Sequence, residues 1–158
     1  MNFIQGVVVI DGTLTFMSGC IAGDWTISTR GTGYFLGNGT KNIAAGSLTN
    51  QGILYISGVV GLNEWATLIN NANIYASGST QFMVFDNTTA NVNSAGGTIS
   101  FSGTILRFQA PASIATFVLN SGNVEIYNAV NITNPVTIPA GSTVSSLGAA
   151  IRIKFAGI

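Results

Sequence analysis

The residues Asn50-Gln51-Gly52-Ile53-Leu54-Tyr55-Ile56-Ser57-Gly58 spell a turn, a short alternating strand and a second turn, and the same unit recurs along the whole chain. Its last residue falls at Ser18, Asn38, Gly58, Gly78, Gly103, Asn128 and Gly157, in steps of 20, 20, 20, 25, 25 and 29 residues. Four positions before each of these stand Leu14, Tyr34, Leu54, Ile74, Ile99, Val124 and Ile153. Two positions before stand Phe16, Leu36, Ile56, Ala76, Phe101, Ile126 and Phe155. Apolar residues two apart belong to one face of a strand. One such strand and turn per repeat of 20 to 50 residues means a solenoid, in which each unit buries its apolar face against its neighbours.

The corner before each strand carries Gly12, Thr32, Gly52, Ala72, Gly97 or Gly122, with Ile151 the exception. Small residues are what a sharp bend between stacked coils requires. A second inward slot, ten before each end, holds Val8, Ser28, Leu48, Leu68, Asn93, Val118 and Leu147. Asn50, Asn70 and Asn120 share one corner slot, where their amides could stack along the axis. The fifth and sixth units read as longer, with a fuller strand in each, and Pro111 and Pro135 punctuate the added loops.

Composition agrees with strand and turn and excludes several functions. Apolar residues make up 47% of the 158, enough for a core, while charged residues make up only 6%. Five cations balance five acids without a basic patch, so nucleic-acid binding is not expected. Histidine is absent and Cys20 is the single cysteine, which removes His-based metal sites and internal disulfides. No metal or cofactor site is expected. No apolar stretch approaches the roughly 18 residues that would span a bilayer, and Met1-Asn2-Phe3-Ile4 lacks the pattern of a signal peptide.

The expectation is an all-β, single-domain parallel β-helix covering residues 1–158, with about seven coils of 20–29 residues, right-handed. Neither end of the sequence reads as a polar cap. The chain is therefore expected to be a segment or repeat unit of a longer or self-assembling chain, its open edges meeting another module, another copy or further coils.

The coils resemble the haemagglutinin-repeat β-helices of filamentous adhesins and autotransporter passengers. The resemblance lies in Asp11-Gly12-Thr13-Leu14-Thr15-Phe16, in Asn50 to Gly58, and in Asn120-Ser121-Gly122-Asn123-Val124-Glu125-Ile126. It implies a non-enzymatic, extracellular or cell-surface module that adheres or assembles into a filament, its main partner another copy of itself. The alternatives are a carbohydrate-binding or carbohydrate-cleaving β-helix of the viral tailspike kind, with glycans as partner, and an ice-binding solenoid.

Candidate site residues follow from the same registers. Phe35, Tyr55 and Tyr75 fall in consecutive outward slots and would form a stacked aromatic stripe, either ordinary cross-strand pairing covered by a loop or a contact surface for a neighbouring subunit or glycan. Trp25 and Trp65 each lie thirteen before a unit end, and if exposed they could stack on sugar rings, if buried fill a corner. Asn38, Asn87 and Asn131 open glycosylation sequons near predicted turns. Asp24 and Glu64, each just before one of the tryptophans, are the closest approach to a catalytic carboxylate pair, and they read as solvated turn acids. Regular Thr-x-Thr ranks, which ice binding would need, reduce to Thr13/Thr15 and Thr98/Ser100. No catalytic residue is expected.

Overall fold

The computed structural model of the chain describes residues 3–85, 89–148 and 151–155. These residues form thirteen strands, with no helix among them, arranged as a parallel β-solenoid of about seven turns. The strands are β1 (Phe3–Ile10), β2 (Thr13–Phe16), β3 (Gly19–Ile27), β4 (Thr32–Phe35), β5 (Lys41–Asn50), β6 (Ile53–Asn63) and β7 (Thr67–Asn70). The upper coils contain β8 (Asn73–Val84), β9 (Asn91–Phe108), β10 (Ala112–Ile126), β11 (Val130–Val136), β12 (Thr143–Ser146) and β13 (Ile151–Phe155).

Three faces result. The first stacks β1, β3, β5, β7 and the opening residues of β9, β10, β11 and β13. The second stacks β2, β4, the starts of β6 and β8, and the middles of β9 and β10. The third stacks the opening residues of β1, β3 and β5 and the later parts of β6, β8, β9 and β10, ending on β12. Every pairing is parallel, and the register shifts fall where a long strand bends, as between Ala22 and Gly23, Ser57 and Gly58, or Gly78 and Ser79. No described helix is long and apolar enough to cross a membrane.

Alternation dictates what lies inside. Leu54, Ile74 and Ile99 are register partners, each fully buried. Beside them run Phe35, Ile56, Ala76, Phe101 and Leu119. The first face contributes Val8, Trp25, Leu48, Leu68, Val92, Ala112, Val130 and Ile151. Each fully buried aliphatic or aromatic side chain contributes about 1.5–3 kcal/mol, but only through its neighbours, because no coil has a core of its own.

The register departs from the sequence spacing in several places. The inward partner of Leu14 and Leu54 is Gly33, so Tyr34 points out and Phe35 points in. The cause is volume: a Cβ on Gly33 would lie 2.6 Å from Ile27 Cδ1 and 2.9 Å from Leu54 Cδ1, so these side chains already fill the slot. Further up, Ile99 is covered by Phe117, only 18 residues on, so the sixth coil is short where a long one was expected. Val124 and Ile153 belong to other faces, over Leu106 and Ile132 respectively. Likewise Trp25 and Val92, rather than Ser28 and Asn93, fill the second inward slot, and Val118 is exposed. All three faces share the period of two, so apolar spacing alone does not distinguish one face from the next. The unit end at Gly157 lies outside the described residues.

Candidate functional site

The outer surface of the second face carries the most ordered feature of the molecule. Tyr34, Tyr55 and Tyr75 are register partners in successive coils. Their rings stack with centroids 5.1 Å and 5.4 Å apart at interplanar angles of 7° and 24°. Parallel strands about 4.8 Å apart hold identical side chains at stacking distance, so the ladder needs no further support. Thr15 extends the column below and Ser100 and Val118 above. The stripe expected at Phe35, Tyr55 and Tyr75 therefore exists with one member corrected. Phe35 is fully buried and meets Phe16 edge-on at 5.1 Å, and Tyr34 stands in its place.

The neighbouring outward column reads Thr13, Thr32, Ile53, Asn73, Thr98 and Thr116. Ile53 and Asn73 interrupt the threonines, so no continuous Thr rank forms on this face.

The two tryptophans part company. Trp25 lies in the core, 3% exposed, between Val8 and Leu48, with its indole N–H donating to the Ala22 carbonyl at 3.2 Å. It is removed from any glycan-stacking role. Trp65 is 71% exposed in the turn before β7, next to Glu64, whose φ of 54° is left-handed. The residue two coils above Trp25 is Leu68, not Trp65, because Trp25's own coil takes eight residues from this column to Gly33, where the coils above take six from Leu48 to Leu54 and from Leu68 to Ile74.

No two described acids face each other. Asp24 accepts from the backbone N–H and hydroxyl of Ser47 at 3.1 and 2.9 Å, and Thr67, not Glu64, occupies its register two coils up. Glu125 accepts from Arg107 at 2.8 Å and from the Tyr127 hydroxyl at 2.9 Å. These two donors hold its carboxyl below the usual range. Asp11 pairs with Arg30 at 3.4 Å on the surface. No group of three potential metal ligands occurs among the described residues. Asn38 is exposed in a turn, Asn131 is exposed on β11 rather than in a turn, and Asn87, like Asp86, lies outside the described residues.

No family model matches this chain, and neither does any curated protein or solved structure.

One of the five cations, Lys41, is inside the molecule. Lys41 is fully buried, in the inward column under Val60, Phe82 and Phe108. Its ammonium donates to the carbonyls of Gly39 at 2.7 Å, Gly37 at 2.9 Å and Leu36 at 3.4 Å, with no carboxylate partner among the described residues. Three acceptors match the three N–H bonds of an ammonium, and together they close the turn over residues 36–40. Burial pushes its pKa down. The signal was present in the sequence: Lys41 and Ile43 keep the same alternation as Val60 and Leu62 one coil on.

Proposed function

We propose that this chain is a non-enzymatic structural module, a β-solenoid of an extracellular or cell-surface fibre, which assembles end to end with further copies of itself. The observation that supports it is the way the core runs out. The apolar residues left half-buried against the core are Val8, Ile10, Leu14 and Phe16 in the first coils and Val144, Ile151 and Ile153 in the last, with Val84 the one exception. Among the described residues β1 pairs only with β3, and β13 only with β11, so each end presents a strand edge with N–H and C=O groups that no described strand takes up. A second copy seated on either end would continue both the columns and the ladder. The tyrosine ladder supplies a flat aromatic strip for lateral contact between filaments. The resemblance to haemagglutinin-repeat adhesins fits the same reading, since those coils too are folding patterns without catalytic residues.

Sedimentation velocity and negative-stain electron microscopy across a concentration series test it. Filaments or a ladder of oligomers growing with concentration are expected, and Val9→Lys with Ile153→Lys, which charge the two ends, would abolish them. A monodisperse monomer at millimolar concentration would overturn the proposal.

A further inference from the structure

The first face carries a crevice that the assembly reading does not use. It measures about 300 Å3 and is lined by Asn91, Pro111, Ser113, Ala129, Asn131 and Arg152, with the strands of Ala112 and Val130 behind. A second crevice of about 330 Å3 continues from Asn131 and Arg152 to Thr133 and Lys154. Each lies at the small end of ligand-sized sites, which run from roughly 300 to 1,000 Å3.

Three observations identify what would fit. First, the floor formed by β10 and β11 offers no free backbone. β10 is paired on both sides, with β9 and β11, and β11 with β10 and β13. The Pro111 and Ala129 carbonyls are already taken by the N–H groups of Val92 and Ala112. On this floor a ligand is read by side chains, and the free ladder edge nearby, the outer edge of β13, is the one that a further coil would continue. Second, those side chains are hydroxyl and amide groups around small apolar steps. Ser113 and Asn131 are exposed register partners, and Pro111 and Ala129 supply flat, shallow floor. A pyranose has this amphipathic character, with C–H faces and equatorial hydroxyls.

Third, the charge is one-sided. Arg30 is paired with Asp11 and Arg107 with Glu125, while Lys41 is enclosed by carbonyls. Arg152 and Lys154, both exposed on β13, have no carboxylate within ion-pair distance among the described residues. A guanidinium takes a carboxylate in a two-pronged hydrogen bond. Two cations and no aromatic side chain in the crevice are too little for a nucleic acid.

We infer that the crevice over β10, β11 and β13 binds an acidic saccharide. A uronate-type carboxylate rests on Arg152 with Lys154 beside it, and the ring hydroxyls meet Ser113, Asn131 and Asn91. The site opens sideways from the first face, so it does not depend on stacking at the ends. Attachment of a glycan to Asn131 would fill it, so glycosylation there and saccharide binding exclude each other.

Titration of the full chain with trigalacturonate, followed by calorimetry, tests this against the neutral trigalactose and against sodium sulfate. Trigalacturonate is expected to bind at least tenfold more tightly than trigalactose. Arg152→Ala is expected to remove that preference, and Arg30→Ala, on a paired surface cation, to leave it intact. Circular dichroism confirms that each variant keeps its strands. Equal affinity for both trimers, no binding at millimolar ligand, or an unchanged preference in Arg152→Ala would overturn the assignment. Full displacement by equimolar sulfate would reduce the site to one for simple anions and overturn it as well. None of these outcomes bears on filament formation, which is read separately by sedimentation.

Discussion

The side-chain amide of Asn50 donates to Oδ1 of Asn70, 2.8 Å away in the next coil, and Asn70 in turn donates to the Ser94 hydroxyl at 2.9 Å. All three side chains are fully buried. They occupy a column that begins with Ile10 and Ile27 and continues with Ile114, Ile132 and Ile153. The amides also hold the corner together: Asn50 accepts from the Gly52 N–H and donates to the Asn73 carbonyl, and Asn70 donates to the carbonyls of Ala72 and Thr98. A buried polar group is tolerated when all its bonds are made.

Asn70→Ala takes one acceptor from the buried Asn50 amide, which keeps the Asn73 carbonyl, and removes the donor to the buried Ser94 hydroxyl. An unsatisfied buried group costs about 1–3 kcal/mol, so a loss of about 2–4 kcal/mol is expected in urea unfolding. Asn120, which the spacing placed in the same slot, is exposed at the corner of β10, and Asn120→Ala should stay within about 0.5 kcal/mol. Equal effects at the two sites would mean the ladder is not a unit.

Lys41→Met keeps the aliphatic stem and deletes the ammonium, leaving the Gly37 and Gly39 carbonyls without their donor. A loss of about 2–4 kcal/mol is expected near neutral pH. The pH dependence has a definite sign. Because burial lowers the folded pKa, the unfolded chain binds more protons between that value and the ordinary lysine value of about 10.4. Stability of the native protein relative to Lys41→Met should therefore rise with pH across that window. A difference that falls with pH would show that the carbonyl cage outweighs burial and holds the ammonium charged.

Phe35 and Tyr55 separate the observed register from the one implied by even 20-residue spacing. Phe35→Ala empties a fully buried site against Phe16 and should cost about 3–5 kcal/mol. Tyr55→Ala interrupts two ring stacks on a half-buried surface and should cost about 1–2 kcal/mol. Thermal or denaturant unfolding reads both, and the reverse order would return Phe35 to the outside.

Gly52 and Gly12 share a corner slot but not its surroundings. A Cβ on Gly52 would lie 2.3 Å from the carbonyl oxygens of Gly31 and Ser28, backbone that cannot give way, whereas a Cβ on Gly12 meets nothing within 4 Å. Gly52→Ala is expected to cost about 3 kcal/mol or more, and Gly12→Ala less than about 0.5 kcal/mol, in the same unfolding assay. Equal costs would show that the bend itself, not the coil beneath, demands glycine.

These residues also show what the sequence made legible. The solenoid, its parallel coils and the column Leu54, Ile74, Ile99 followed directly from period and alternation, because stacking leaves the same slots apolar in every coil. The position of the second coil did not follow, because Gly33 satisfies its slot by being absent: Ile27 and Leu54 fill the space, and a pattern search passes over an empty side chain in favour of Tyr34. The upper coils slipped for a different reason, since a coil of 18 residues brings a neighbouring face into the expected spacing. Trp25 and Trp65 looked equivalent by counting from a unit end, yet the longer corner between Trp25 and Gly33 shifts the count, and counting does not see corners. Lys41 was hidden by its residue type, although its alternation with Ile43 placed it inward. The crevice at Asn131 and Arg152 joins residues on separate coils, which only the fold brings side by side.

The most direct test of coil-over-coil stacking is disulfide closure between outward register partners in a Cys20→Ala background. Parallel neighbours about 4.8 Å apart lie within disulfide range. Tyr34→Cys with Tyr55→Cys, and Tyr55→Cys with Tyr75→Cys, should oxidise fully in the folded protein, while Phe35→Cys with Tyr55→Cys should not. Closure of the Phe35 pair with failure of the Tyr34 pair would contradict the register, and failure of every pair would contradict the stacked solenoid itself.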